Sequence, residues 1–365
     1  MKNKIIVING KENRSVISAN YMYTFNKVTG HFARWGKTHE DDPAFAPFPE
    51  IADVEISTIC NGIGKLDNDG NEIPNTAHPC PFCYKSNTGK GSNMSLETFK
   101  KVFAHLNQHK TLTQIAFGIG DINGNPELFD ILYYTRRSDV VPNITVNGWG
   151  ISTEIAEKLA KVCGAVSVSH YNDDVCFNAV KKLTDFIGKP GTTLNAVNIH
   201  QLLSMETYNE CLDIINKIKT DERLKNMGSV VFLSLKPKGD RNHFNCIDSM
   251  EKYHKLFNKA MDEGIGFGSD SCGAKHVMES FKDHENYEQI KTSVEGCEST
   301  CFSIYVNTEA KVFPCSFAEG VGEWKDGINL LEVEDFKKEV WHNEKIIKFR
   351  EANIKKCDSC LIYKI

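Results

Sequence analysis

Long apolar runs are missing from this 365-residue chain. The N-terminus offers only Ile5-Ile-Val-Ile8 before Asn9-Gly10, too short for the core of a signal peptide. Nothing elsewhere approaches the length of a membrane span. Blocks of basic residues are missing as well. Lysine and arginine number 43 against 48 aspartates and glutamates, a net charge of −5. Electrostatics therefore gives no reason to expect a nucleic-acid partner. Internal repeats and low-complexity tracts are also absent. What remains is 41% hydrophobic and 25% charged, an ordinary soluble composition. These absences predict a cytoplasmic protein with no membrane partner, built as one large domain with a small appendage.

Cysteine, by contrast, is plentiful: there are 13. In a reducing compartment they are poor candidates for disulfides, and an odd count gathered in motifs points to metal. Cys60, Cys80 and Cys83 follow the strand-like run Val54–Thr58. Three thiolates can hold three irons of a [4Fe-4S] cluster and leave the fourth iron open. A zinc site built on Cys80-x2-Cys83 is the other reading of that spacing. A second set, Cys297-x17-Cys315 and Cys357-x2-Cys360, surrounds a hairpin-like run from Phe302 to Phe313 with its turn at Asn307–Ala310. Here a zinc ribbon is the alternative metal site. Cys301 could stand in for Cys297. Cys272 could be a further ligand or a catalytic thiol, although a buried inert thiol is its default. Cys163, Cys176, Cys211 and Cys246 have no partners in sequence and read as core or incidental residues.

The hydrophobic pattern alternates between two periods. Strand candidates are Val54–Thr58, Gln114–Ile119, Asn143–Asn147, Ala165–Ser169, Ala196–Leu202, Val230–Leu235 and Ile265–Ser269, with amphipathic stretches between them. Ser95 caps one helix, and Pro126 sits in the first turn of another. Strand-helix repetition predicts an α/β fold of parallel βα units, either barrel or open sheet. Ahead of it, Tyr21–Phe25 and His31–Trp35 flank a glycine-containing turn and read as a β-hairpin covering one end. A long helix is expected over Val333–Ala352. The boundaries fall at 1–50 for the hairpin and linker, 51–271 for the βα units and 272–365 for the remainder.

Cys80-Pro-Phe-Cys83-Tyr-Lys resembles the radical S-adenosylmethionine (SAM) superfamily, including the aromatic Phe82 before the last cysteine. The chain departs from the family in the 19 residues that separate Cys60 from Cys80, where far fewer are usual. That insertion, Asn61 to Pro79, is rich in turn formers and reads as an excursion that returns the chain to the site. Ile119-Gly120-Asp121 resembles the family's second-strand GGE motif, with aspartate for glutamate. Thr145-Val-Asn147-Gly148 and Val166–Ser169 resemble its third- and fourth-strand elements. Cys297, Cys315, Cys357 and Cys360 resemble the SPASM/twitch extension that holds an auxiliary [4Fe-4S] cluster.

The resemblance implies a partial (β/α)6 TIM-like barrel with a small twitch-type hairpin-helix domain. It implies a SAM cluster on Cys60, Cys80 and Cys83, and SAM contacts from Phe82, Tyr84, Gly120, Asp121, Asn147 and Ser169. His170 and His200 read as ordinary core or rim histidines. The implied reaction is reductive cleavage of SAM to a 5′-deoxyadenosyl radical that abstracts hydrogen, with an electron from a flavodoxin- or ferredoxin-like donor. A ribosomally made peptide or protein is the first substrate class, and a small molecule in a dehydrogenase or cyclase reaction the second. The alternative outside enzymes is a zinc-binding interaction protein.

Overall fold

The computed structural model describes residues 5–67, 69–355 and 360–364. The chain begins with four antiparallel strands, β1 (Ile6–Asn9), β2 (Asn13–Ile17), β3 (Met22–Asn26) and β4 (Phe32–Trp35), paired in that order. The expected hairpin is thus β3–β4, and two further strands extend it. Alternate residues Tyr23 and Phe25 on β3 are fully buried with Val16, Phe48 and Phe302.

Polar anchors hold this small sheet against the body. The Arg14 guanidinium is buried and donates to the backbone carbonyls of Leu112 and Asp139. Tyr23 Oη donates to Thr111 O. Both anchors reach the segments that lead into the second and third strands of the main sheet. The N-terminal sheet therefore covers the end of the βα unit opposite its cysteines. Hydrogen bonds to a charged donor each stabilise by roughly 1.5–3 kcal/mol. Arg14→Ala is expected to lower the urea unfolding midpoint and to loosen β1–β4 first, seen as faster amide exchange at Val16 and Tyr23.

The main sheet contains seven consecutive parallel strands. They are β5 (Ile51–Ser57), β6 (Gln114–Ile119), β7 (Val141–Val146), β8 (Ala165–Ser169), β9 (Ala196–Leu203), β10 (Val230–Ser234) and β11 (Phe267–Ser269). Helices α1 (Leu96–Leu106), α2 (Leu128–Arg137), α3 (Thr153–Val162), α4 (Asp173–Thr184), α5 (Tyr208–Thr220) and α6 (Met250–Asp262) connect them. Apolar residues on the outward face of each strand pack under these helices, for example Val54, Ile115, Val166 and Val197. The sheet does not close. It is a partial barrel whose seven strands match the seven candidates in the sequence, one more than a (β/α)6 unit carries.

Of the two expected helix starts, one needs adjustment. Ser95 caps α1 as predicted, its Oγ accepting from Thr98 N at 3.1 Å. Pro126, however, precedes α2. Asn125 holds the chain there, accepting from Glu127 N (2.9 Å) and donating to Ile56 O and Met94 O.

After β11 come α7 (Ala274–Ser280) and α8 (Tyr287–Ser293), then β12 (Ser303–Val306), β13 (Lys311–Phe313) and β14 (Ile328–Asn329). β12 and β13 are the expected hairpin, and Asn307 Oδ1 organises its turn by accepting from Glu309 N and Lys311 N. β12 pairs in parallel with β5, so the hairpin continues the main sheet at its free edge. The expected single helix over Val333–Ala352 is broken into a π-helical turn, Lys337–Trp341, and α9 (Glu344–Lys355). Asn343 Oδ1 accepts from Lys345 N at the break. Trp341 is fully buried and donates its indole N–H to Ala46 O, while its own carbonyl accepts from Arg350 of α9 at 2.9 Å.

Candidate functional site

Parallel βα units place their variable loops at the C-terminal ends of the strands, where side chains converge. Here β5 runs out of Ser57 directly to Cys60, whose N–H donates to Thr88 O at 2.9 Å. Cys80 and Cys83 return to the same point, and all three line one cavity of about 410 Å³. The wall facing them is kept bare by glycine. A Cβ on Gly120 would stand 2.5 Å from Cys60 Cβ, closer than real atoms approach. Gly239, at φ +99°, crosses Cys83 so tightly that a Cβ would meet its carbonyl oxygen at 2.2 Å. Side chains are excluded at both points.

The 19-residue insertion is ordered around this site. Ile63 and His78 bridge antiparallel at its base, as do Leu66 and Glu72 farther out. Glu72 accepts from Gly150 N, and Asn147 Nδ2 donates to Gly62 O at 3.3 Å. The insertion therefore braces the turn after β7 and delivers the chain back to Cys80.

Of the residues expected to contact a cofactor, Phe82, Tyr84, Gly120, Asn147 and Ser169 line the cavity. Phe82 packs between Tyr171 and Phe244, and Tyr84 against Phe317. Asn172 rather than Ser169 caps α4, leaving the Ser169 hydroxyl on the cavity wall. Asp121 sits beside Cys60, but its Oδ1 accepts from Asn123 N and it is not part of the wall. His170 is tied to Gln201 and Asp173 and is structural. His200 lines the cavity, and burial pushes its imidazole down to about 4, so it is neutral there.

Burial dominates the thiols. It raises Cys60, and it raises Cys80 to about 12, helped by the neighbouring Cys60 and Cys83 and opposed by Arg241. Neutral thiols become ligands only by giving up protons to a bound metal. Three of them on one wall can supply three ligands to a cluster that keeps a site open. Among the described residues, no group of three or more His, Cys, Asp or Glu side chains is already drawn in around a single ion.

The second cysteine set is only partly described, because Cys357 lies outside the described residues. Burial lifts Cys315 to about 11, and Cys297 and Cys360 add to the shift. Cys301 is buried in the cluster under β1–β4, and Asn353 Nδ2 lies 3.7 Å from its sulfur. Cys272 is absent from the cavity wall; its thiol hydrogen-bonds to Cys360, which that contact pushes down to about 6. Cys163, Cys176 and Cys211 are core residues, as expected.

Sequence reasoning missed a buried ionic group between the two cysteine sets. Lys85 Nζ lies 3.2 Å from Glu55 Oε2 and 2.9 Å from Tyr305 Oη, and it also pairs with Glu319. Tyr305 Oη donates to Glu55 Oε2 at 3.1 Å, and Asn307 Nδ2 to Glu319 Oε1 at 2.7 Å. A second pair, Lys236 with Asp270, stands at the ends of β10 and β11 on the cavity wall. The available signal was Asp53 and Glu55 alternating with apolar residues on one buried strand, since charges there need partners or a role.

No protein-family model matches the chain, and no curated protein does. Solved structures do. SuiB of Streptococcus suis bound to the precursor peptide SuiA superposes with a TM-score of 0.66 at 11% identity, over 94% of this chain and 90% of that one. SuiB bound to S-adenosylmethionine gives 0.60 at 14%, over 87% and 72%. anSMEcpe with bound AdoMet and Cp18Cys peptide gives 0.56 at 14%, over 87% and 88%. The chain shares their fold.

Proposed function

We propose that this chain, with the fold of SuiB and anSMEcpe, is a radical SAM enzyme that modifies a peptide or protein. The observation that carries the reading is the convergence of Cys60, Cys80 and Cys83 on one cavity at the C-terminal ends of the parallel strands. Structures of the same fold hold S-adenosylmethionine, and others hold a peptide.

When bound, a [4Fe-4S] cluster with SAM supplies reductive cleavage to a 5′-deoxyadenosyl radical. This chain's residues supply position and exclusion. Cys60, Cys80 and Cys83 would hold the cluster through three of its irons. Gly120 leaves the space that a side chain would fill. Asn147 and Ser169 offer hydrogen bonds from neighbouring strand ends, and Phe82 and Tyr84 present apolar faces that keep water out. Asp121 acts by shaping the turn beside Cys60.

Cys297, Cys315, Cys357 and Cys360 are the proposed ligands of an auxiliary cluster. Cys297 and Cys360 both lie close enough to act on the Cys315 thiol, which supports that set. Cys301 is favoured less, since its thiol packs in the core beneath the N-terminal sheet. The electron donor would be a flavodoxin- or ferredoxin-like protein.

The test is direct. The anaerobically reconstituted protein, reduced with dithionite, should convert SAM to 5′-deoxyadenosine and methionine, read by mass spectrometry. A protein that takes up zinc and forms no 5′-deoxyadenosine would overturn the reading. Among the described residues no helix is long and apolar enough to cross a membrane.

A further inference from the structure

The cavity that begins at the cysteines continues down the interior of the partial barrel. Asp53, Glu55 and Ser57 alternate along the inward face of β5. At about 3.3 Å per residue, Asp53 lies roughly 13 Å below Ser57. Glu55 is occupied by Lys85 and Tyr305. Asp53 is different. Its carboxylate lines the cavity and makes no hydrogen bond or ion pair with any described residue.

Its surroundings leave room for a ligand. The residue paired with Asp53 on β6 is Ala116, and Gly118 follows on the same inward face. On the other side β12 pairs Tyr305 with Asp53, and the Tyr305 hydroxyl is turned to Glu55 and Glu319. His200, farther round the floor, is neutral. Burial alone lifts the Asp53 carboxyl to about 6, and no neighbouring charge bears on it. At neutral pH a carboxylate in this position is ionised and uncompensated, at a standing cost in stability.

We propose that Asp53 is the floor of the substrate subsite and receives a primary ammonium group, either a lysine-type side chain of a peptide or a small-molecule amine. This deepens the proposed function and rests on it. An ammonium supplies the charge and the donors the carboxylate lacks, and the small residues Ala116 and Gly118 on the neighbouring strand leave space beside it.

The test uses the reconstituted full-length protein and thermal unfolding at pH 8. n-Butylammonium should raise the melting temperature of wild type, while n-butanol, without the charge, should not. In Asp53→Asn the ammonium should bind at least about tenfold more weakly, the loss of one charge-assisted hydrogen bond. The peptide Ac-Gly-Lys-Gly-NH2 separates the two sources. Protection by it assigns a lysyl side chain; protection by n-butylammonium alone assigns a small amine.

The variant also has a sign of its own. A raised carboxyl withdraws stability as pH climbs from the unfolded value through about 6. Asp53→Asn should therefore melt above wild type at pH 8 and together with it at pH 4. Equal protection of wild type and variant, or none of either, would overturn the proposal. So would loss of iron from Asp53→Asn, which would assign the residue to the cofactor. Failure of the radical SAM reading is separate: it appears as absent 5′-deoxyadenosine, whereas this readout is binding.

Discussion

Replacing Cys60, Cys80 and Cys83 together by alanine is expected to remove about four of the roughly eight irons per reconstituted chain, the complement of two [4Fe-4S] clusters. Formation of 5′-deoxyadenosine should fall below detection. The three cysteines approach from two segments separated by the insertion, and among the described residues no other thiol lines the cavity to replace them. The residual iron should track the second set, so that adding Cys315→Ala to the triple variant removes it. Folding should survive, because the three thiols are half-buried at the rim and the hydrophobic core lies on the other face of the strands. Metal analysis beside circular dichroism separates loss of cluster from loss of fold. If the triple variant kept all its iron, the cluster would have to sit elsewhere and the functional reading would fail.

The parallel strands and the cysteine site were legible because each is written in local chemistry. Gln114–Ile119 and Ala165–Ser169 were placed to the residue, each a short β-rich run ending at polar turn formers. Where legibility failed, contacts distant in sequence were in control. β2 carries little apolar signal of its own, and the run Ile5–Ile8 does not by itself name the strand that β1 pairs with; Arg14 on β2 is buried because it reaches carbonyls about a hundred residues away. The Val333–Ala352 stretch has helical periodicity throughout, yet Trp341 docks on Ala46 and breaks it. Nor could spacing reveal that β12 would extend the main sheet beside β5, since edge pairing depends on which edge the barrel leaves open. Among the candidate site residues, Cys60, Cys80 and Cys83, expected together from their pattern, line one cavity. Lys85, Tyr305 and Glu319 were missed because their meaning lies in mutual contact.

That contact leads to the second large effect. Lys85→Met is expected to destabilise the protein by about 3–5 kcal/mol, the usual result of removing one partner from a buried ion pair. Lys85 and Glu55 are each less than a tenth exposed, and Lys85 serves Glu55, Glu319 and the Tyr305 hydroxyl at once. Methionine would fill the volume and leave two carboxylates facing each other with no cation in hydrogen-bond contact, only the neighbouring Lys238 offsetting them. Burial already raises the Glu55 carboxyl, and Lys85 is the chief influence holding it down. Without Lys85 it rises further. A carboxyl raised in the folded state withdraws stability as pH increases, so the deficit should be largest above neutrality and shrink in mild acid as Glu55 takes up a proton. Glu55→Gln added to Lys85→Met should recover part of the loss, because the glutamine needs no counter-charge. Urea midpoints of the four proteins at pH 5.5 and pH 8 give the coupling directly. Equal midpoints for wild type and Lys85→Met at pH 8 would mean that water, not Lys85, balances Glu55. Lys85 lies two residues from Cys83, and Tyr305 and Glu319 flank Cys315 in sequence. The ionic group thus ties the segment bearing one cysteine set to the hairpin bearing the other, and breaking it should loosen both. In that case iron retention by Lys85→Met falls at the two sites together, whereas a purely local role would spare the C-terminal one.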